Sequence, residues 1–275
     1  MPRSRLFIWL LKKGFPLRTV FSRFTKVPIL GKIMDYLLFH NDEIIYLPKD
    51  NVASFKINID QPIKQHGDMV VPSRVLEHFI EEANYHWIMN WCICRSSSSC
   101  EHYPIDLGCL FLGEAAMKID PKLGRKVTKK ESFEHAKKCR EAGLVHLIGR
   151  NKLDTFWLKV GPGDKLLTIC NCCDCCCLWR ILPFVSNKIA SKVTKMPGVN
   201  VTVSKEKCIG CGTCIKACFV KAIEIIDNKS IISDECRGCG RCVEVCPQNA
   251  VDLTIEDIEC LNKTIERVES LVEVT

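Results

Sequence analysis

The feature that most constrains this 275-residue chain is a cysteine pattern written twice near its C-terminus. Cys208, Cys211, Cys214 and Cys218 follow the spacing C-x-x-C-x-x-C-x-x-x-C, and Cys236, Cys239, Cys242 and Cys246 repeat it, each 28 residues after its counterpart. The duplication runs past the thiols: Ala222 and Ile223 match Ala250 and Val251 at the same offset. A whole supersecondary unit is therefore repeated, and not only a ligand loop.

The remaining cysteines sharpen the question of compartment. The chain has 20, and 18 of them are grouped: four from Cys92 to Cys109, six from Cys170 to Cys177 and the eight of the repeat, with Cys139 and Cys260 isolated. A secreted protein would use such thiols as a disulfide framework. The apolar run Leu6 to Leu11 is only six residues long, follows Arg3 and Arg5, and is closed by Lys12 and Lys13 with no small-residue cleavage site behind it. It does not read as a secretory leader. The expected location is the reducing cytoplasm, where thiols at short regular spacing serve as metal ligands.

The doubled motif, with Pro247 after its last cysteine, resembles the bacterial two-cluster [4Fe-4S] ferredoxin domain over about 55 residues. Three thiolates on one short loop can bind three corners of a cubane, while the fourth comes from the helix after the other loop. The resemblance implies that Cys208, Cys211, Cys214 and Cys246 hold one cluster, and Cys236, Cys239, Cys242 and Cys218 the other. Gly210, Gly212, Gly238 and Gly240 would let backbone amides approach the sulfurs. Two four-thiolate zinc sites are the alternative, but zinc does not call for an exchange of fourth ligands. One departure is Phe219, which stands where proline often follows the fourth cysteine.

Upstream, Cys92, Cys94, Cys100 and Cys109 together with Cys170, Cys172, Cys173, Cys175, Cys176 and Cys177 supply ten thiols, more than one cubane can use. If the two groups meet in space, they form a metal site able to hold one or more further Fe–S clusters; otherwise they are buried or redox-labile thiols. The region is similar to cysteine-rich segments fused to ferredoxin domains in anaerobes, which implies an oxygen-poor setting.

The expected fold class is α+β: a mainly helical N-terminal region followed by a small ferredoxin-type domain. Leu17, Val20, Phe21 and Phe24, interleaved with Arg18, Arg23 and Lys26, predict a basic amphipathic helix before Pro28. Leu76, Phe79, Ile80, Ala83 and Trp87 predict a second helix. Thr128 and Glu131 are spaced as a capping box, and Gly143 as a left-handed cap, for a third over about 129 to 142 that contains Cys139. Val199, Val201 and Val203 alternate as a strand. The domains expected are a basic segment over 1–60, a helical cysteine-rich domain over 61–197, the ferredoxin-type domain over 198–256 and a helix or tail over 257–275.

Net charge is +7, and residues 1 to 34 carry eight Lys or Arg with no Asp or Glu. That segment could dock on an anionic membrane surface or a partner protein, or pack its apolar side on the rest of the chain. No recognised nucleic-acid motif accompanies it, so nucleic acid is not an expected partner. No stretch has the roughly 18 to 20 apolar residues needed to span a bilayer. Dinucleotide fingerprint, P-loop and nucleophile triad are all missing. The leading function is single-electron transfer through two [4Fe-4S] clusters to redox partner proteins; the alternative is an oxidoreductase whose upstream cysteines are catalytic and are fed by the ferredoxin domain.

Overall fold

The computed structural model describes residues 5–55 and 71–275. Arg3 and the boundary drawn at 60/61 lie outside the described residues. The chain opens with three short helices, α1 (Arg5–Gly14), α2 (Arg18–Arg23) and α3 (Pro28–Met34). It then enters β1 (Glu43–Tyr46) and β2 (Ala53–Phe55), and continues through α4 (Ser73–Glu82), β3 (His86–Met89), α5 (Ile93–Ser97), β4 (Leu110–Leu112) and β5 (Gly124–Lys126). There follow α6 (Lys129–Glu141), β6 (Val145–Arg150), α7 (Lys152–Leu158), β7 (Leu167–Cys172), α8 (Asn187–Ala190) and β8 (Val193–Lys195). The C-terminal part carries β9 (Val199–Val203), α9 (Thr213–Ala217), β10 (Ile223–Ile226), β11 (Lys229–Ile232), α10 (Arg241–Glu244), β12 (Val251–Ile255) and α11 (Glu259–Glu269).

Seven strands form one sheet in the order β5-β3-β4-β7-β6-β1-β8, antiparallel except for the parallel pair β1 and β8. The α+β class holds, but the expectation of a mainly helical region up to residue 197 does not. In β3 and β4 every residue is buried, and β6 and β7 are nearly so. Strands covered on both faces lose the polar alternation that marks them in sequence and read like buried helix. Trp87 shows the error directly: α4 stops at Glu82, and Trp87 lies on β3 opposite Phe111 and Lys126.

Other local expectations are met. Thr128 and Glu131 form a reciprocal capping box at the start of α6, and Gly143 follows the helix at φ +76°. Cys139 is fully buried, and burial pushes its thiol up to about 12. The ferredoxin-type segment is not a separate bead. β2 pairs in parallel with β12, which pairs in turn with β9, so an upstream strand completes the C-terminal sheet. Val199, Leu253, Ile255, Leu261 and Val268 share one core with Val75, Phe79, Leu112 and Ile148.

The helix predicted on Leu17, Val20, Phe21 and Phe24 is present as the short α2 with a 3-10 turn on each side; α1 packs Phe7, Ile8 and Leu11 on the core that holds Phe111 and Trp157, whereas α2 and α3 are set the other way round from an ordinary surface helix. Ser22 and Thr25 are buried against the chain, and a Cβ on Gly31 would collide with Thr25 O. Thr25 Oγ1 accepts the Ser186 amide at 2.9 Å. Leu17, Val20, Phe21 and Phe24 are about half exposed, and Ile29 is 76 % exposed. Packing of the apolar side of α2 on the rest of the chain is therefore not what the structure has.

Candidate metal centres

The repeat folds as two loop-and-helix units whose equivalent atoms make equivalent contacts. The amide of Ala222 donates to Cys218 Sγ at 3.3 Å, and that of Ala250 donates to Cys246 Sγ at the same 3.3 Å. This is why the alanines recur with the cysteines: each supplies an N–H to sulfur from a residue small enough to be buried beside it. The Ser230 amide donates to Cys208 Sγ at 3.4 Å and the Gly238 amide to Cys236 Sγ at 3.4 Å. Gly210 sits at φ +68°, and a Cβ there would stand 2.6 Å from Asn228 O, so only glycine allows that approach.

The two units differ in exposure. Cys211 is exposed, with Ile209 beside it 61 % exposed. Amide and hydroxyl hydrogen bonds hold the Cys208 and Cys211 thiols below their ordinary range, from Ser230 and Thr213 respectively. Burial instead pushes Cys218, Cys236 and Cys242 up, and each feels charge from its neighbours in the set Cys218, Cys236, Cys239 and Cys242. Cys218, Cys236 and Cys239 pack against the core that contains Tyr46, Trp179 and Phe219, and that same core holds Cys172 and Cys177.

The ten upstream thiols do meet, and they sort into two sets. Cys100 leaves its sequence neighbours and joins Cys173, Cys175 and Cys176, all four sulfurs lying within 4.8 Å of one another. The other six lie together as free thiols: Cys109 and Cys170 are 3.8 Å apart, Cys170 is hydrogen-bonded to Cys172, Cys172 and Cys177 are 3.1 Å apart, and Cys92 is hydrogen-bonded to Cys94 beside them. β7 and the turn after it supply the six cysteines from Cys170 to Cys177. The N-cap and first turn of α5 supply Cys92 and Cys94, and the stretch between α5 and β4 supplies Cys100 and Cys109.

Two arginines that the sequence reading did not single out explain what these thiols need. Arg95 is fully buried. Its Nη1 donates to Asn171 O at 2.7 Å and its Nη2 to Leu107 O. Among the described residues no carboxylate lies within ion-pair distance of it, and its Nε has no partner. Burial opposes its charge, but Cys92, Cys173, Cys172 and Cys109 around it more than offset this. Arg241, 5 % exposed, reaches from α10 to donate to Cys172 O, with Asp174 at 3.7 Å. A buried unpaired cation costs several kcal/mol. Thiolates gathered on a metal would supply the missing negative charge, so donor set and surroundings fit an iron–sulfur centre. The available signal was Arg95 next to Cys94 and Arg241 next to Cys242, cations written directly into the ligand runs.

Residues 201–253 match the family model described as a 4Fe-4S dicluster domain, a span that runs from within β9 to within β12 and contains all eight cysteines of the repeat. Searches of curated proteins and of solved structures returned no match. The C-terminal part is thus an iron–sulfur, ferredoxin-like domain whose cofactors are [4Fe-4S] clusters, and such a domain serves electron transfer with redox partners. No helix among the described residues is long and apolar enough to cross a membrane.

Proposed function

We propose that this protein is a membrane-docked electron-transfer protein that takes single electrons in at its C-terminal surface and delivers them to a centre held by the upstream cysteines. Cys208, Cys211, Cys214 and Cys246 form the outer ligand set, and Cys218, Cys236, Cys239 and Cys242 the inner one. When bound, the [4Fe-4S] clusters supply one-electron storage at each set. Exposed Cys211, with Ile209, Ile215 and Val245 near the surface of the same unit, is where a redox partner docks.

The observation that carries this reading is the shared core. Cys218, Cys236 and Cys239 on one side and Cys172 and Cys177 on the other line the same apolar cluster, with Tyr46 and Phe219 stacked 5.0 Å apart inside it. Water is excluded from that contact, and Arg241 bridges it by a hydrogen bond to Cys172 O. The six thiols Cys92, Cys94, Cys109, Cys170, Cys172 and Cys177 hold the receiving cluster, with Arg95 as their counter-charge.

The N-terminal helices support the membrane-docked part of this reading. They pack on the chain through Phe7, Ile8 and Leu11 of α1 and through Ser22, Thr25 and Gly31, and turn Trp9, Phe21, Phe24 and Ile29 outward, in a described stretch that carries Lys12, Lys13, Arg18, Arg23, Lys26 and Lys32 and no acid before Asp35. Asp35 itself is buried and paired with Lys188 and Lys192. An apolar face ringed by cations fits an anionic lipid surface.

Anaerobic redox titration followed by EPR tests the electron-transfer reading. The expected result is one-electron reduction of magnetically interacting [4Fe-4S] centres, with reoxidation by a one-electron protein acceptor alone. Reoxidation that requires a small-molecule substrate would favour the reductase alternative and overturn this reading.

A further inference from the structure

We propose that Cys100, Cys173, Cys175 and Cys176 hold a single divalent metal ion, zinc or iron, in a tetrahedral all-thiolate site distinct from every iron–sulfur cluster of the chain. The spacing of the sulfurs carries the inference. All four lie within 4.8 Å of one another, with Cys100 and Cys175 3.6 Å apart and Cys175 and Cys176 3.5 Å apart. Four sulfurs around one ion at a metal–sulfur distance of about 2.3 Å stand about 3.8 Å from each other. A cubane sets each thiolate on its own iron at a separate corner, which spreads the four sulfurs well beyond that. The chain contains its own comparison: no three of the eight thiols in the C-terminal repeat come within 4.8 Å of one another as a set. The repeat is spaced for cubanes, and the upstream four for one ion.

The surroundings agree. The amide of Cys176 donates to Cys173 Sγ at 3.3 Å, and the amides of His102 and Tyr103 donate to Cys100, so backbone N–H groups already point at two of the four sulfurs, as they do around a metal-bound thiolate. Four thiolates on a divalent ion carry a net charge of about −2. Arg18 donates to Cys176 O at 3.4 Å and Arg180 to Asp174 O, placing two guanidinium groups at the same turn. The run Cys175-Cys176-Cys177 is then divided between two centres, because Cys177 turns to Cys172 at 3.1 Å. Such an ion ties the loop after α5 to the turn after β7 across 75 residues of sequence and anchors Arg18 of α2 to the sheet. Its role is structural: no open position is left for a substrate.

The test is elemental analysis of full-length protein purified anaerobically, with zinc, iron and acid-labile sulfide counted per chain in the wild type and in Cys100→Ser/Cys175→Ser. The wild type is expected to carry one metal ion in excess of its labile sulfide, and the variant to lose that ion while its sulfide and its reduced EPR signals stay unchanged. Zinc against iron in the excess identifies the ion. Equal metal and sulfide in the wild type would overturn the proposal without recourse to the variant, as would loss of iron and sulfide together from the variant. Neither outcome bears on the electron-transfer reading, which rests on the other thiols.

Discussion

The ring of Phe219 lies 5.0 Å from that of Tyr46, centroid to centroid, at an interplanar angle of 38°. Phe219 follows a cysteine of the repeat at a position where proline is common, and Tyr46 ends the strand that pairs with β6 and β8. The departure from the usual motif is therefore one of the contacts that seat the ferredoxin-like domain on the upstream sheet, beside the β2–β12 pairing and the shared core.

Truncating that contact should loosen the seat. Phe219→Ala is expected to lower anaerobic unfolding stability by about 3 kcal/mol or more, the usual cost of removing a buried aromatic ring. Tyr46→Phe should cost little, because the buried Tyr46 hydroxyl has no hydrogen-bond partner among the described residues. Denaturant titration of both variants checks the pair; a large loss in Tyr46→Phe with none in Phe219→Ala would reverse the assignment.

The repeat made the C-terminal site readable, down to the buried alanines, because ligand spacing and small-residue packing are local properties. Thr128, Glu131 and Gly143 were readable for the same reason. The seven-stranded sheet was not: His86, Thr168 and Asn171 are polar residues inside buried strands, satisfied by partners outside those strands, Ile80 O, Asp154 and, 63 residues away, Gly108 O. Nor did spacing alone reveal that Cys100 parts from Cys92, Cys94 and Cys109. That division depends on how the loop after α5 folds back towards the turn after β7.

Arg95 should matter to the upstream centre and not to the C-terminal one. Arg95→Met keeps volume but removes the buried charge that faces Cys92, Cys172 and Cys173. The expected result is loss of iron bound upstream, with the EPR signals of the C-terminal clusters retained. An unchanged iron content with an unchanged upstream potential would separate Arg95 from the metal.

Membrane docking predicts binding to vesicles containing anionic phospholipid that weakens as salt is raised. Replacing exposed Trp9, Phe21, Phe24 and Ile29 by Ser should reduce that binding at least tenfold without lowering stability, since all four are about half exposed or more. Co-sedimentation of wild type and variant with vesicles is the measurement; wild-type protein that stays in the supernatant at low salt would contradict the docking.

Asp42 gives a pH dependence. Its Oδ1 accepts the Lys152 amide at 2.6 Å, its Oδ2 is buried without a partner, and burial raises its pKa to about 7. Between its ordinary value and about 7 the folded chain holds a proton that the unfolded chain has released, so this contribution to stability is fully present below about pH 4 and is lost progressively as pH rises from there to about 7. Asp42→Asn should flatten the fall in melting temperature between about pH 4 and pH 7 and raise stability at the upper end. A wild type whose stability climbs over that interval while the variant's does not would contradict the assignment.

Acid-labile sulfide, with EPR after dithionite reduction, decides whether the upstream thiols hold a cluster fed by the C-terminal domain. The comparison is wild type against Cys92→Ser/Cys94→Ser/Cys172→Ser/Cys177→Ser. About twelve sulfides per chain in the wild type, falling to about eight in the variant with the C-terminal signals intact, is the predicted result. About eight in both would confine the clusters to the repeat and contradict the account.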